Sequence, residues 1–330
     1  MGMSHEPAPG SRTRLLRGEA YAALAASGFG SAYVATAFAL HSFGPVPIAA
    51  WRGFLATIVL WTLVAIRARR ERRAAVPGTV ATPAPPLRDR LLRLGVLAVL
   101  GGPIFLSAMN FAVAHVGPTI ASFVAGLYAI LTALFGPVLL RERLSRRVVI
   151  AFVVALIGTA LLARLDLGGT DTIGLAWGLL AATSYALYLV LTRRWSVAYH
   201  VDGLVIAACM TSATAVILGI PLLLTDPRAL IPATTAPEAI LALAWLAFIA
   251  GGATTLVLAS VRLIPAARSA AFLLLNPITA TVLAAVLLGS VPAPLQVLGG
   301  LLVLAGMAAA TLPAALGTGP VADPSGRSAG

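Results

Sequence analysis

Leu139-Leu140-Arg141-Glu142-Arg143-Leu144-Ser145-Arg146-Arg147 and Leu287-Leu288-Gly289-Ser290-Val291-Pro292-Ala293-Pro294-Leu295 read as one turn written twice. Each joins two apolar stretches, Pro118 to Ala163 around the first copy and Ala266 to Leu312 around the second. The offset of 148 that relates Leu139 to Leu287 also relates Gly158 to Gly306. The helical positions match in character, but every charge of the first turn is missing from the second. Arginines collect in cytoplasmic loops. A second copy lying upside down in the membrane puts its turn on the other side, which erases the charges in this way.

Composition agrees with a membrane location. The 330 residues are 59% hydrophobic and 10% charged, against about 25% charged in a soluble domain, and the mean hydropathy is +0.96. Apolar stretches of about 20 residues recur, each able to cross a hydrocarbon core of roughly 30 Å. Lipid-exposed backbone must satisfy its own hydrogen bonds, so these stretches read as helices. All 23 basic residues are arginine, and the net charge is +12. They lie at helix ends and in loops, not on one face of a soluble fold, so nucleic acid is not an expected partner. Membrane lipids are. The single cysteine, Cys209, forms no internal disulfide and carries no redox signal. The first apolar stretch reads as an uncleaved anchor, not a signal peptide.

The pattern predicts an all-α polytopic protein with helices at 19–40, 45–66, 92–114, 118–140, 147–164, 172–192, 203–224, 238–261, 268–289 and 294–312. Residues 1–18 and 313–330 are expected as polar, disordered tails, and 67–91 as a cytoplasmic linker. The linker opens on the run Arg67 to Arg73, which suits anionic lipid headgroups better than a protein partner. With a cytoplasmic N-terminus, twenty arginines fall inside and two, Arg164 and Arg228, outside. That asymmetry predicts both termini in the cytoplasm and a plasma (inner) membrane protein. Gly101-Gly102 pairs with Gly251-Gly252, and Gly18 with Gly174. Five helices therefore repeat as five: 19–164, then 172–312 inverted. An odd number per repeat forces the inversion, and two such halves can rock about a central cavity.

Ile48-Ala49-Ala50-Trp51-Arg52-Gly53-Phe54-Leu55-Ala56 resembles the second-helix motif of the EamA family of the drug/metabolite transporter superfamily, and Leu139 to Ser145 resembles its fourth-helix ending. The resemblance covers roughly 19–312. It implies ten transmembrane helices around a central cavity and transport of small metabolites, with amino-acid-like compounds often exported.

The candidate substrate-binding residues are the polar groups inside spans. Arg52 is the arginine well inside one, about 10 Å below the outer surface. It can clasp a substrate carboxylate, or it can snorkel outward or cap carbonyls of a neighbouring helix. Asn276 precedes Pro277, whose missing donor frees a carbonyl and predicts a kink beside a cavity. Tyr185 and Tyr188 share a helix face. Tyr128 and Asn110 complete the set. For each of these the plainer role is an interhelical hydrogen bond or an interface aromatic.

No catalytic or metal constellation is present, so no enzyme activity or cofactor is implied. His5, His41, His115 and His200 lack ligand spacing. Gly28-Phe29-Gly30 lacks the strand of a nucleotide fingerprint. Glu142 reads as an ion-pair anchor. Where the related small multidrug exporters carry a membrane glutamate three residues before a glycine, this chain has Ser27 before Gly30. All 11 acidic residues fall in tails, loops or span ends, which argues against proton-coupled export of lipophilic cations.

The functional expectation is a secondary transporter of a small polar or zwitterionic metabolite, exported by alternating access. An importer or exchanger of another small metabolite is the alternative within transport. A non-transporting membrane scaffold or lipid-handling protein is the alternative outside it. The sequence carries no signature of oligomeric state.

Overall fold

The computed structural model describes residues 9–74, 87–140, 146–162, 172–199, 202–233 and 237–316. Among the described residues every regular element is a helix. The order is α1 (Pro9–Ala39), α2 (Pro45–Ala74), α3 (Leu87–Val99), a π turn (Leu100–Ile104), α4 (Phe105–Gly126), α5 (Tyr128–Leu140) and α6 (Arg146–Leu162). There follow α7 (Thr172–Tyr199), α8 (Gly203–Thr214), a second π turn (Ala215–Gly219), α9 (Ile220–Thr225), α10 (Pro237–Ser260), α11 (Ala266–Ala271), a 3-10 turn (Phe272–Leu274), α12 (Leu275–Leu288) and α13 (Pro294–Leu316). Arg141 to Ser145, with Glu142, lies outside the described residues.

Six helical stretches are long and apolar enough to cross a membrane: Thr13–Ala39, Pro45–Arg70, Arg88–Gly136, Thr172–Trp195, Gly203–Thr225 and Pro237–Ser260. Shorter apolar helices run over Val148–Leu161, Phe272–Leu288 and Pro294–Ala309. The chain is thus an all-helical, multi-pass membrane protein. Arg88–Gly136 has 49 residues, more than twice the roughly 20 that one crossing needs. Its path turns at Gly117, whose φ of +75° a side chain tolerates poorly. Pro118 follows, where a helix start makes use of its fixed φ.

Several helices outrun the apolar runs that mark them. α1 begins at Pro9, inside the stretch expected to be a disordered tail. α2 continues through the arginine run to Ala74, and α13 continues past 312 to Leu316. Arginine, glutamate, leucine and alanine are good helix formers, so the helix persists after hydrophobicity ends. Caps set other ends. Asp202 accepts from Leu204 N at 3.0 Å to start α8, and Gly289 ends α12 in the left-handed conformation. Gln296 Oε1 accepts from Ala293 N at 3.0 Å at the start of α13.

The bundle closes through pairings between its two halves: α6 with α13, α1 with α10, α4 with α7, α2 with α8 and α1 with α12. Glycines make the closest of these approaches possible. A Cβ at Gly158 would stand 2.7 Å from Gly299 O and 2.7 Å from Val303 N. One at Gly306 would stand 2.6 Å from Ala151 O and 3.0 Å from Ala155 Cβ. Subtracting the offset of 148 from Gly299 and Val303 yields Ala151 and Ala155, so the seam contacts itself reciprocally. The same holds elsewhere. Gly18 abuts Leu263 and Ile264, while its sequence partner Gly174 abuts His115 and Val116, again 148 positions earlier.

Candidate functional site

The helices leave a central cavity of about 350 Å³. Its wall is shared among the surrounding elements. α1 supplies Phe29 and Tyr33, α2 supplies Arg52, and α4 supplies Phe105 and Met109. Tyr128 comes from the start of α5, Tyr185 and Tyr188 from α7, Met210 and Thr211 from α8, Thr254 from α10, and Asn276 from α12.

Aromatic rings build one side. Tyr185 lies 4.6 Å, centroid to centroid, from Phe105, 4.9 Å edge-on from Tyr128, and 5.3 Å from Tyr188. Gly101 and Gly102 let the first π turn press against them. A Cβ at Gly101 would meet the Tyr188 ring at 3.1 Å, and one at Gly102 would meet Thr214 Oγ1 at 2.8 Å and overlap the Met210 carbonyl. Pro103 follows in the turn and lacks the N–H that a regular helix would use. A π turn inserts one residue into a helix, and such insertions recur at functional sites.

Arg52 is 7% exposed, and its Nη1 has no hydrogen-bond partner. It does not snorkel to the surface. Tyr33 and Tyr185 are the phenols within its electrostatic reach. Asn276 Oδ1 is also buried without a partner. Unmade hydrogen bonds of buried groups are costly, and here a donor and an acceptor in the lining of one cavity are both left open. Asn276 sits just after the 3-10 turn that interrupts the helix before Pro277. The expected kink is therefore a tightened turn, where proline's missing donor disrupts the helical ladder.

Five of the residues singled out in the sequence, Arg52, Tyr128, Tyr185, Tyr188 and Asn276, thus line one cavity. Asn110 does not. It is fully buried and its Nδ2 donates to Pro45 O at 2.9 Å, fastening the start of α2. Tyr33, Phe105 and Thr254 line the cavity without having been singled out. Tyr33 does carry a signal: it lies four residues after Phe29, so the two rings share one face of α1.

The two ends of the cavity differ. Beyond Arg52 the bundle is packed by Ala32, Ala35, Ala39, Phe43, Ile48, Ala239, Ala242, Leu243 and Leu246. Trp51 Nε1 donates to Leu230 O at 2.9 Å, and Ala233 N donates to Ser42 O at 2.8 Å, stitching the loops above. At the other end the cavity reaches Gly203, Ser269 and Val261, and Val261 is 39% exposed. Ion pairs flank that mouth: Arg268 with Glu19, and Arg67 with Asp202 at 2.6 Å. Among the described residues no group of three or more histidine, cysteine, aspartate or glutamate side chains is arranged to hold a metal.

Comparison with known proteins places this geometry. Residues 16–164 and 172–312 each match the model of the EamA-like transporter family. An uncharacterized transporter of Clostridium kluyveri is 25% identical over 202 residues, 59% of this chain. The match spans 64% of that relative, under two thirds of its length. A solved crystal structure of a protein aligns over 91% of this chain and 97% of its own, with 21% identity and a TM-score of 0.59, a likeness of fold.

Proposed function

The chain belongs to the EamA-like transporter family, and from that premise we propose that it is a secondary transporter that exports a small polar or zwitterionic, amino-acid-like metabolite. The observation that carries this reading is the unpartnered Arg52 Nη1 in a cavity that also offers the unpartnered Asn276 Oδ1. A guanidinium suits a carboxylate, to which it can make paired hydrogen bonds. An amide oxygen suits an ammonium or N–H donor, and the tyrosine and phenylalanine rings suit the remaining apolar part. Arg52, Tyr128, Tyr185, Tyr188 and Asn276 are the proposed contacts, joined by Tyr33.

The proposed architecture is ten crossings in two inverted five-helix repeats. The 49-residue element, counted as two crossings, and the three shorter helices fill that number. The reciprocal contacts of Gly158 with Gly306, and of Gly18 with Gly174, support an axis in the membrane plane. Arginine placement puts both termini, and the mouth at Gly203 and Val261, on the cytoplasmic side. A cavity open there and sealed beyond Arg52 is one half of an alternating-access cycle, the half in which an exporter loads. The acidic residues that flank the mouth, Glu19 and Asp202, are already in ion pairs. Exchange driven by the substrate gradient is the simpler coupling.

Counterflow in proteoliposomes tests the reading. A neutral amino acid, its methyl ester and its deaminated acid are offered as competitors, with the proton gradient collapsed. The ester, which lacks the carboxylate, should compete at least about tenfold more weakly, in line with the strength of a hydrogen bond to a charged group. Equal competition by the ester, or uptake only of lipophilic cations, overturns the assignment.

A further inference from the structure

A second recess lies outside the bundle, where the N-terminal part of α1 meets the end of α10. We propose that it binds the phosphate headgroup of an anionic membrane lipid. The groove encloses about 610 Å³ and is lined by Arg14, Arg17, Tyr21, Ala259 and Arg262, with Thr13 and Leu263 at its edges. Arg14, Arg17 and Tyr21 are spaced three and four apart and so share one face of α1. Arg14 Nη2 donates to the Arg262 carbonyl at 3.5 Å, which brings the two helices' guanidinium-bearing segments together although 248 positions separate them in the chain.

Three like charges converging in one recess repel one another unless an anion lies between them. The nearest carboxylate on α1, Glu19, is already engaged by Arg268. Among the described residues no ion pair joins a carboxylate to Arg14, Arg17 or Arg262. The groove therefore has the charge complement of a phosphate. Its surroundings select a lipid over a free ion. The stripe of α1 that carries Arg17 and Tyr21 continues to Leu24, which is 59% exposed, and Leu16 beside it is 57% exposed. A headgroup on the arginines would thus lay its acyl chains along leucines that face the hydrocarbon. Tyrosine at the boundary suits the headgroup level. Basic pockets between transmembrane helices bind such headgroups elsewhere by the same physics.

The groove shares α1 and α10 with the central cavity but not its lining. Tyr21 and Arg262 line the groove, while their neighbours Ala22 and Val261 line the cavity. A bound headgroup would clamp α1 to α10 beside the mouth, and this holds whatever the cavity carries.

The test uses the whole protein in neutral detergent. Its thermal unfolding is followed while phosphatidylglycerol, phosphatidylcholine or inorganic phosphate is titrated in. Phosphatidylglycerol should raise the midpoint at far lower concentration than the other two. The triple variant Arg14→Gln/Arg17→Gln/Arg262→Gln should need on the order of 100-fold more of it, from about fivefold per arginine. The control Arg88→Gln/Arg146→Gln/Arg228→Gln loses the same charge from exposed positions elsewhere and should respond as the parent does. If the triple variant does not fold, Arg17→Gln alone should show the roughly fivefold weakening. A response unchanged in the groove variants, or lost equally in the control, overturns the proposal. So does inorganic phosphate acting as well as the lipid, which would make the groove a free-anion site.

Discussion

The seam between α6 and α13 and the wall between the first π turn and α8 are both built on glycine, yet they obey different rules. At the seam, Gly158 meets Gly299 and Val303 while Gly306 meets Ala151 and Ala155, the same contact read in both directions. At the wall, Gly102 presses on the Met210 backbone beside a π turn, whereas its sequence counterpart Gly252 meets only the Phe248 ring and its helix stays regular. The seam lies away from the central cavity, which Gly101 and Gly102 line. The repetition holds where the halves only pack and fails where they line the cavity. Packing can be solved once and reused, whereas a small asymmetric solute has no two-fold axis to match.

The comparison can be broken most severely at the seam. Gly306→Leu forces a branched side chain into backbone, and overpacking of this kind should cost about 3 kcal/mol. Gly158→Leu should cost the same within about 1 kcal/mol, as thermal midpoints in detergent would show. Grossly unequal damage would deny the reciprocity. Next in size is the wall's chemistry. Arg52→Ala should lower counterflow at subsaturating substrate by roughly 10- to 100-fold, the worth of a charged hydrogen bond. Arg52→Lys keeps charge but loses the planar fork and should recover only part of that. Wild-type transport in both variants would remove the residue from recognition.

A smaller effect separates the two glycine pairs. Gly102→Ala sets a methyl against a carbonyl and should destabilise by about 2 kcal/mol. Gly252→Ala meets only ordinary van der Waals distances at Phe248 and should change stability by less than about 0.5 kcal/mol. Smallest is the rim. Asp202→Asn removes the partly exposed pair with Arg67 but keeps a capping side chain, so it should cost under about 1 kcal/mol. Asp202→Ala loses the cap as well and should cost about 1 kcal/mol more.

Much of this was legible in the sequence because the membrane simplifies the reading. Apolar runs announce spans, and a lone arginine in one, Arg52, stands out by its cost there. Tyr185 and Tyr188 were found by their spacing, and Asn276 by the proline after it. Tyr33 was missed although Phe29, four residues earlier, marks the same face of α1, because polar groups with a flanking signal stood out and the spacing of a tyrosine from a phenylalanine did not. The helical extensions at 9–18 and 67–74 were missed because span reading follows hydrophobicity, not helix propensity. The π turns were unreadable: Gly101-Gly102-Pro103 signals a weak point but not which hydrogen-bond register replaces the regular one. Nor could spacing reveal the arginine groove, whose members come from opposite ends of the chain.

One buried charge has an electrical consequence. Arg52 carries no fixed counter-ion among the described residues, so in the proposed carrier its positive charge stays inside the membrane both empty and with a zwitterionic solute, whose own charges sum to zero. A unit charge carried across the membrane responds by about 2.3 kcal/mol per 100 mV. Whatever fraction of the field the guanidinium traverses, voltage will then act on the loaded and the empty steps alike, favouring one and opposing the return. Net accumulation of a zwitterion should then be indifferent to membrane potential, while that of a solute with a net negative charge, which neutralises the guanidinium on the loaded step, should rise or fall with it.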